Sequence, residues 1–222
     1  ADLERPGAIG RQHRGLLGPR LQQVLALVAR RQLRQIGVAA GPGLQHHGAA
    51  LAAPTPSVAT AQARLAGMTP ASKIECHAAG SNGARCSADG YTVMYLDNCG
   101  EGAAFGSIAA DGGVDLNDRV DGKGKTVAHV MDRQFVCIPA MVRKGEEQRH
   151  YVIAVPTASV PACRDNDLCK NADLPVDWKQ AKRGQACERT KDGDYQGDCA
   201  AGWVDVGQID QYETLAPAKP AR

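Results

Sequence analysis

The sequence predicts an all-β fold, a small disulfide-rich barrel or sandwich of short strands. Three observations carry that prediction. All eight cysteines of the 222-residue chain fall between Cys76 and Cys199. From Met68 onward, short β-type runs alternate with Gly, Asp and Asn turns, the pattern of sheets packed on sheets rather than of helices on a parallel sheet. Aromatic residues make up only 4% of the chain and mean hydropathy is −0.32, so the core is modest and must lean on cross-links.

The cysteines are Cys76, Cys86, Cys99, Cys137, Cys163, Cys169, Cys187 and Cys199. No two of them are separated by the two to four residues that a structural zinc site requires, and no Cys-x-x-Cys redox pair is present. An even count with such spacing indicates complete pairing in four bridges, which persist in the periplasm or outside the cell. A periplasmic or secreted protein is therefore expected. Eight cysteines allow roughly a hundred pairings, and sequence does not choose among them. The close pairs Cys163 with Cys169 and Cys187 with Cys199 are the natural local loops.

Residues 1–67 differ from the remainder. They hold eight Arg and two acidic residues, a balance of +6, and contain no Lys, Phe, Tyr, Trp, Cys or Asn; residues 68–222 balance to −4. Leu17, Leu21, Val24, Leu25, Val28 and Leu33 recur at helical spacing among arginines, which fits a basic amphipathic helix for an acidic partner or a membrane surface. The composition fits better a low-complexity stretch with too little apolar and aromatic side chain to fold. On that second reading 1–67 stands outside the fold. Ala61-Gln62-Ala63 has the composition of an export cleavage site, but Pro54 and Pro56 break the apolar stretch that should precede it. No apolar run is long enough for a transmembrane helix, so no membrane-spanning segment is expected.

Taken in order, Ser72 to His77 and Tyr91 to Leu96 read as strands around the turns Ser81-Asn82-Gly83 and Asp89-Gly90. Cys76, Cys86 and Cys99 tie this region, 68–110, together. Val114 to Leu116, Thr126 to Met131, Gln134 to Ile138 and Tyr151 to Val155 continue the series. The span 156–201 is polar and irregular, with Val176 to Lys182 as a candidate short helix. Ala201 to Asp205 closes with a strand, and 214–222 reads as a disordered Pro/Ala/Lys tail.

Five of these runs follow one another as strands do in a known family. Val114-Asp115-Leu116-Asn117, Lys125 to Val130, Asp132 to Cys137, His150 to Val155 and Gly202-Trp203-Val204 resemble a bacterial SH3-like domain over residues 111–210, with a cysteine-rich insertion at 156–201. The resemblance implies a non-catalytic β-barrel module of the cell envelope that binds peptidoglycan or an envelope protein, with Tyr151 and Trp203 on its binding surface.

Other chemistries fit less well. Asp121-Gly122-Lys123-Gly124-Lys125-Thr126 has Arg119 where a phosphate loop needs Gly, and as a calcium loop it lacks the closing acid; a hairpin turn explains it. Acid clusters at Asp165, Asp167, Asp173 and Asp177, and at Asp192, Asp194 and Asp198, would suit a flexible calcium site only if they converge. No Gly-x-Ser-x-Gly or His-Glu-x-x-His motif occurs, and His77, His129 and His150 are dispersed. Catalysis, a cofactor and a bound metal are therefore not expected. Nor is nucleic acid, since residues 68–222 are net negative. The alternative to a binding module is an inhibitor or immunity-type protein presenting Arg164–Leu168 or Arg189–Gln196 to a partner enzyme.

Overall fold

The computed structural model describes residues 56–215, apart from 71, 80–82, 101 and 214. The helix expected around Leu17–Leu33 and, apart from Leu215, the tail expected at 214–222 lie outside the described residues.

Helix α1 (Val58–Met68) opens the fold. The Ser57 hydroxyl caps it by accepting from the Thr60 backbone amide at 3.2 Å. Pro70 stops it, because the residue before a proline is pushed away from helical geometry, and Thr69 sits at φ −146° and ψ 68°. Ala61, Leu65 and Met68 recur at one-turn spacing and are buried. The boundary expected at residue 67 is therefore corrected. The last turns of the arginine-rich stretch belong to the fold, because three apolar residues on one helix face suffice once Ile74, Cys86 and Tyr91 lie beneath them. Ala61-Gln62-Ala63 forms the middle of this helix.

Thirteen strands follow among the described residues, all paired antiparallel. They are β1 (Ile74–Ala78), β2 (Ala84–Ala88), β3 (Tyr91–Leu96), β4 (Ala104–Ile108), β5 (Val114–Asn117), β6 (Thr126–Val130), β7 (Phe135–Lys144), β8 (Glu147–Ala154), β9 (Asp177–Trp178), β10 (Glu188–Arg189), β11 (Tyr195–Gln196), β12 (Ala201–Asp205) and β13 (Ile209–Gln211). Eleven form one sheet along the path β1-β2-β3-β7-β8-β12-β5-β6-β9, with β4 and β13 branching from β7; β10 and β11 make a separate hairpin. The protein is all-β with one short helix, as its residue pattern predicts.

Strand β7 is the hinge of this arrangement. Its first half pairs with β4 and its second half with β3 along one edge, while β8 takes the other. Between the halves lies Pro139, which has no amide to donate; the register against β8 slips there by one residue, and Asp97 N donates to the Pro139 carbonyl at 2.8 Å. A one-residue slip exchanges the faces of a strand. Val136 and Ile138 accordingly enter one core with Val114, Leu116, Ala128, Val130 and Val152. Phe135 and Cys137 point the other way, and after the slip so do Ala140 and Val142, which join Tyr91 and Trp203. Strand β12 seats itself between β8 and β5 through Gly202, where a Cβ would stand 2.8 Å from the backbone N and O of Asn117.

Val176 to Lys182 is not a helix. Asp177 and Trp178 pair with His129 and Ala128 on the free edge of β6, and the Lys179 and Gln180 amides both donate to Val127 O. A helix there would bury little more than Val176 and Trp178 and leave that edge open, whereas β9 covers it.

All eight cysteines are bridged. Cys163–Cys169 and Cys187–Cys199 close the expected local loops. Cys76–Cys86 joins directly opposed residues of β1 and β2. Cys99 leaves the 68–110 region and reaches Cys137 in β7, a separation of 38 residues. Four bridges of this kind mark a protein of an oxidising compartment. No helix among the described residues is long and apolar enough to cross a membrane.

Candidate functional site

The two residues expected on a binding surface are side by side, Trp203 inside and Tyr151 half-buried. Trp203 is 1% exposed, meets Tyr151 edge to face at 5.3 Å, and donates its indole N–H to Met68 O at 3.2 Å. Burial pushes the Tyr151 phenol up to about 12. Trp203 is thus a packing residue: Gly202 draws β12 close to β5, and the ring fills the space beneath α1. Tyr151, half-buried, lines its flank.

The three described histidines do not converge. His77 is exposed on β1. His129 holds Asp115 Oδ1 through Nδ1 at 2.7 Å and Gly112 O through Nε2 at 2.9 Å. The hydrogen bond to Asp115, then that to Gly112, raises its pKa, and with both nitrogens engaged it has none free to act as a base. His150 is 1% exposed on the face of β8 that carries Val152, and neither ring nitrogen has a partner. Burial lowers its pKa.

The two act in opposite directions on stability. An unfolded histidine titrates at about 6.5. With a folded value below that, the contribution of His150 is complete above about 6.5 and is lost as pH falls through the unfolded value toward the folded one. His129, with a raised folded value, contributes fully below about 6.5 and loses that contribution as pH rises through the raised value. In thermal melts at pH 5 and pH 8, His150→Leu should flatten the acid limb, and His129→Gln should lower the melting temperature at pH 5 more than at pH 8. An unchanged acid slope in His150→Leu would contradict the burial argument.

The acid clusters are occupied locally. Asp198 accepts from the amides of Arg183, Gly184 and Gln185, and Asp173 from the amide and hydroxyl of Thr157. Asp194 pairs with Arg64 on α1 at 3.3 Å. Among the described residues no three metal-ligating side chains converge.

Charges do gather where three turns meet: those between β2 and β3, β5 and β6, and β7 and β8. A cavity of about 580 Å³ there is lined by Asp89, Tyr91, Asp121, Lys123, Lys144, Glu147 and Arg149. The charges are matched. Arg119 reaches Asp121 at 2.9 Å and Asp89 at 3.0 Å, and its guanidinium holds the Asp121 carboxyl below its ordinary range. Tyr91 donates to Glu147, and Arg149 pairs with Asp205 at 3.2 Å. Such a network ties the turns together. The Asp121 to Thr126 stretch is the expected hairpin loop, held by Asn117 and Asp118 side chains accepting from the Gly124 and Lys125 amides.

The other end of β7 is of different character. A cleft of about 760 Å³ opens between the start of β4, the turn Val160-Pro161-Ala162 and the end of the described chain. Ala103, Phe105, Val160, Pro161, Ala162 and Leu215 line it, with Arg189 and Glu213 as its charged groups among the described residues. A second cavity of about 290 Å³ shares Gly102, Ala103, Phe105, Glu213 and Leu215 with it, and continues toward Tyr95, Ile138 and Met141. Behind Phe105 lie Phe135, stacked on it at 5.4 Å, and the Cys99–Cys137 bridge. The walls are pinned: Ser159 Oγ and Tyr195 OH lie 2.6 Å apart, Asn98 donates to Asp192 O at 2.7 Å, and Cys187–Cys199 closes the base of the β10–β11 hairpin. That hairpin, one of the two loops expected to face a partner enzyme, is therefore docked on the body. The other, Arg164–Leu168, is a tight turn that leaves Leu168 46% exposed.

Of the cleft residues the sequence alone marks Arg189, as the start of a loop expected to face a partner enzyme, and passes over the rest. The lining comes from four separated segments, and the one other local signal is the apolar Val160-Pro161-Ala162 in an otherwise polar span. Comparison of the chain with family models, with curated proteins and with solved structures gives no match.

Proposed function

We propose that this chain is a non-catalytic binding protein of the cell envelope or the secreted fraction, and that the cleft beside β4 receives an apolar segment of a partner protein. One observation carries the proposal: a pre-formed concavity of about 760 Å³, apolar in most of its lining, with Arg189 and Glu213 as the charged groups among the described residues. That is the general character of a ligand site. Pinning by two disulfides and by hydrogen bonds limits the ordering cost of binding. An apolar lining suits a protein segment better than a glycan strand, so of the two envelope ligands the SH3-like resemblance implies, the protein partner is favoured over peptidoglycan.

Ala162→Arg, which places a long charged side chain in the cleft mouth, should weaken a stoichiometric partner complex by tenfold or more, about 1.4 kcal/mol. Leu168→Ala should leave it unchanged. The reverse pattern favours the inhibitor reading, whose support is the exposed Leu168 on its disulfide-closed turn. Retention of both variants on purified sacculi, with no protein partner, would turn the reading back to peptidoglycan.

A further inference from the structure

Arg189 is out of keeping with its surroundings. Its side chain forms part of an otherwise largely apolar cleft wall, yet its Nε is buried with no hydrogen-bond partner. Nη2 makes only a long bond of 3.4 Å, to Cys99 O. No carboxylate among the described residues pairs with it, although Glu213 lines the same cleft. Arg149 makes the comparison plain: its Nε is also buried and unpartnered, but its Nη2 has Asp205 at 3.2 Å. A half-buried guanidinium with its Nε sealed and unmet carries a desolvation cost that a planar anion at the two Nη nitrogens can offset, since a carboxylate accepts two parallel N–H bonds from that fork. The backbone holds Arg189 in place from both sides, through the β10–β11 pairing and through Cys187–Cys199 two residues away.

From this, we infer that the segment entering the cleft carries a carboxylate, and that Arg189 receives it while the apolar wall takes the neighbouring side chains. The inference rests on the cleft being the binding site. Glu213 is exposed at the rim, so it disfavours a second negative charge on the ligand and restricts the site to an apolar segment bearing a single acid.

The test uses acetyl-Leu-Phe as the free acid and as its C-terminal amide, titrated into the disulfide-intact protein with backbone amide chemical shifts as the readout. The acid should perturb the amides of residues 102–105, Val160 and Ala162 and bind about tenfold more tightly than the amide, as a charge-assisted hydrogen bond requires. Arg189→Gln should bring the acid down to the affinity of the amide. Arg189→Lys, which keeps the charge without the fork, should fall between. Near-UV circular dichroism and the mass of the four-bridge species confirm that each variant is folded. Equal binding of acid and amide, indifferent to Arg189→Gln, would overturn the carboxylate while leaving the cleft reading in place. Perturbation of the cleft by neither probe would overturn both.

Discussion

Trp203→Ala is expected to destabilise the protein by about 3–5 kcal/mol, the range for deleting a large aromatic from a packed core. The ring is 1% exposed and sits among Met68, Tyr91, Val120, Ala140 and Val142, where few other large side chains exist to close over a cavity. It also supplies the hydrogen bond to Met68 O that holds the end of α1. Loss of the ring therefore removes packing and frees the helix together. Urea unfolding followed by far-UV circular dichroism measures the first effect. Hydrogen exchange of the α1 amides measures the second, with protection lost preferentially over residues 61–68. Trp203→Phe keeps most of the volume but not the donor and should cost distinctly less than Trp203→Ala. A loss under about 1 kcal/mol for Trp203→Ala would mean that the ring is not a core residue.

Replacing Cys99 and Cys137 together by Ala is expected to cost about 4 kcal/mol, the most of any of the four bridges. The chain-entropy argument scales with loop length, and this bridge closes 38 residues against 12, 10 and 6 for the others. Removing Cys163–Cys169 should cost about 2 kcal/mol on the same scale. Both sulfurs of the long bridge are also buried, beside Phe105 and Phe135, so the double variant should loosen the floor of the cleft as well. Guanidinium unfolding of the four double variants gives the order directly. A cost for Cys99/Cys137 no larger than that for Cys163/Cys169 would show that native packing, not loop closure, sets the contribution of these bridges.

Much of the sheet was legible residue by residue, because alternation of burial is a local property. Val114-Asp115-Leu116 and Ala128-His129-Val130 declare one buried face each, and both are strands. Strand β2 is open to reading only as a third strand between the two turns of 72–99, because Ala84 to Ala88 is built of small residues and an arginine; β4 is masked by Ala104, Gly106 and Ser107 around its two strong β formers, Phe105 and Ile108, and Ile209 to Gln211 is too short to show a period. Helix α1 left a trace in Ser57 and Pro70, its cap and its stop, but the composition around it obscured that trace. The two local bridges could be guessed from chain distance, whereas Cys99 with Cys137 could not.

What the amino-acid order settled by itself is the class of the molecule: antiparallel strands, complete cysteine pairing and a compartment that tolerates it. Each follows from spacing between residues near one another in the chain. The tertiary structure alone decided that Trp203 is interior, that Pro139 flips the faces of β7, and that Arg189 pairs with no carboxylate of the described residues beside an apolar cleft. Those depend on which distant segments come to lie against one another, and burial and unmet hydrogen bonds have no meaning until that neighbourhood exists.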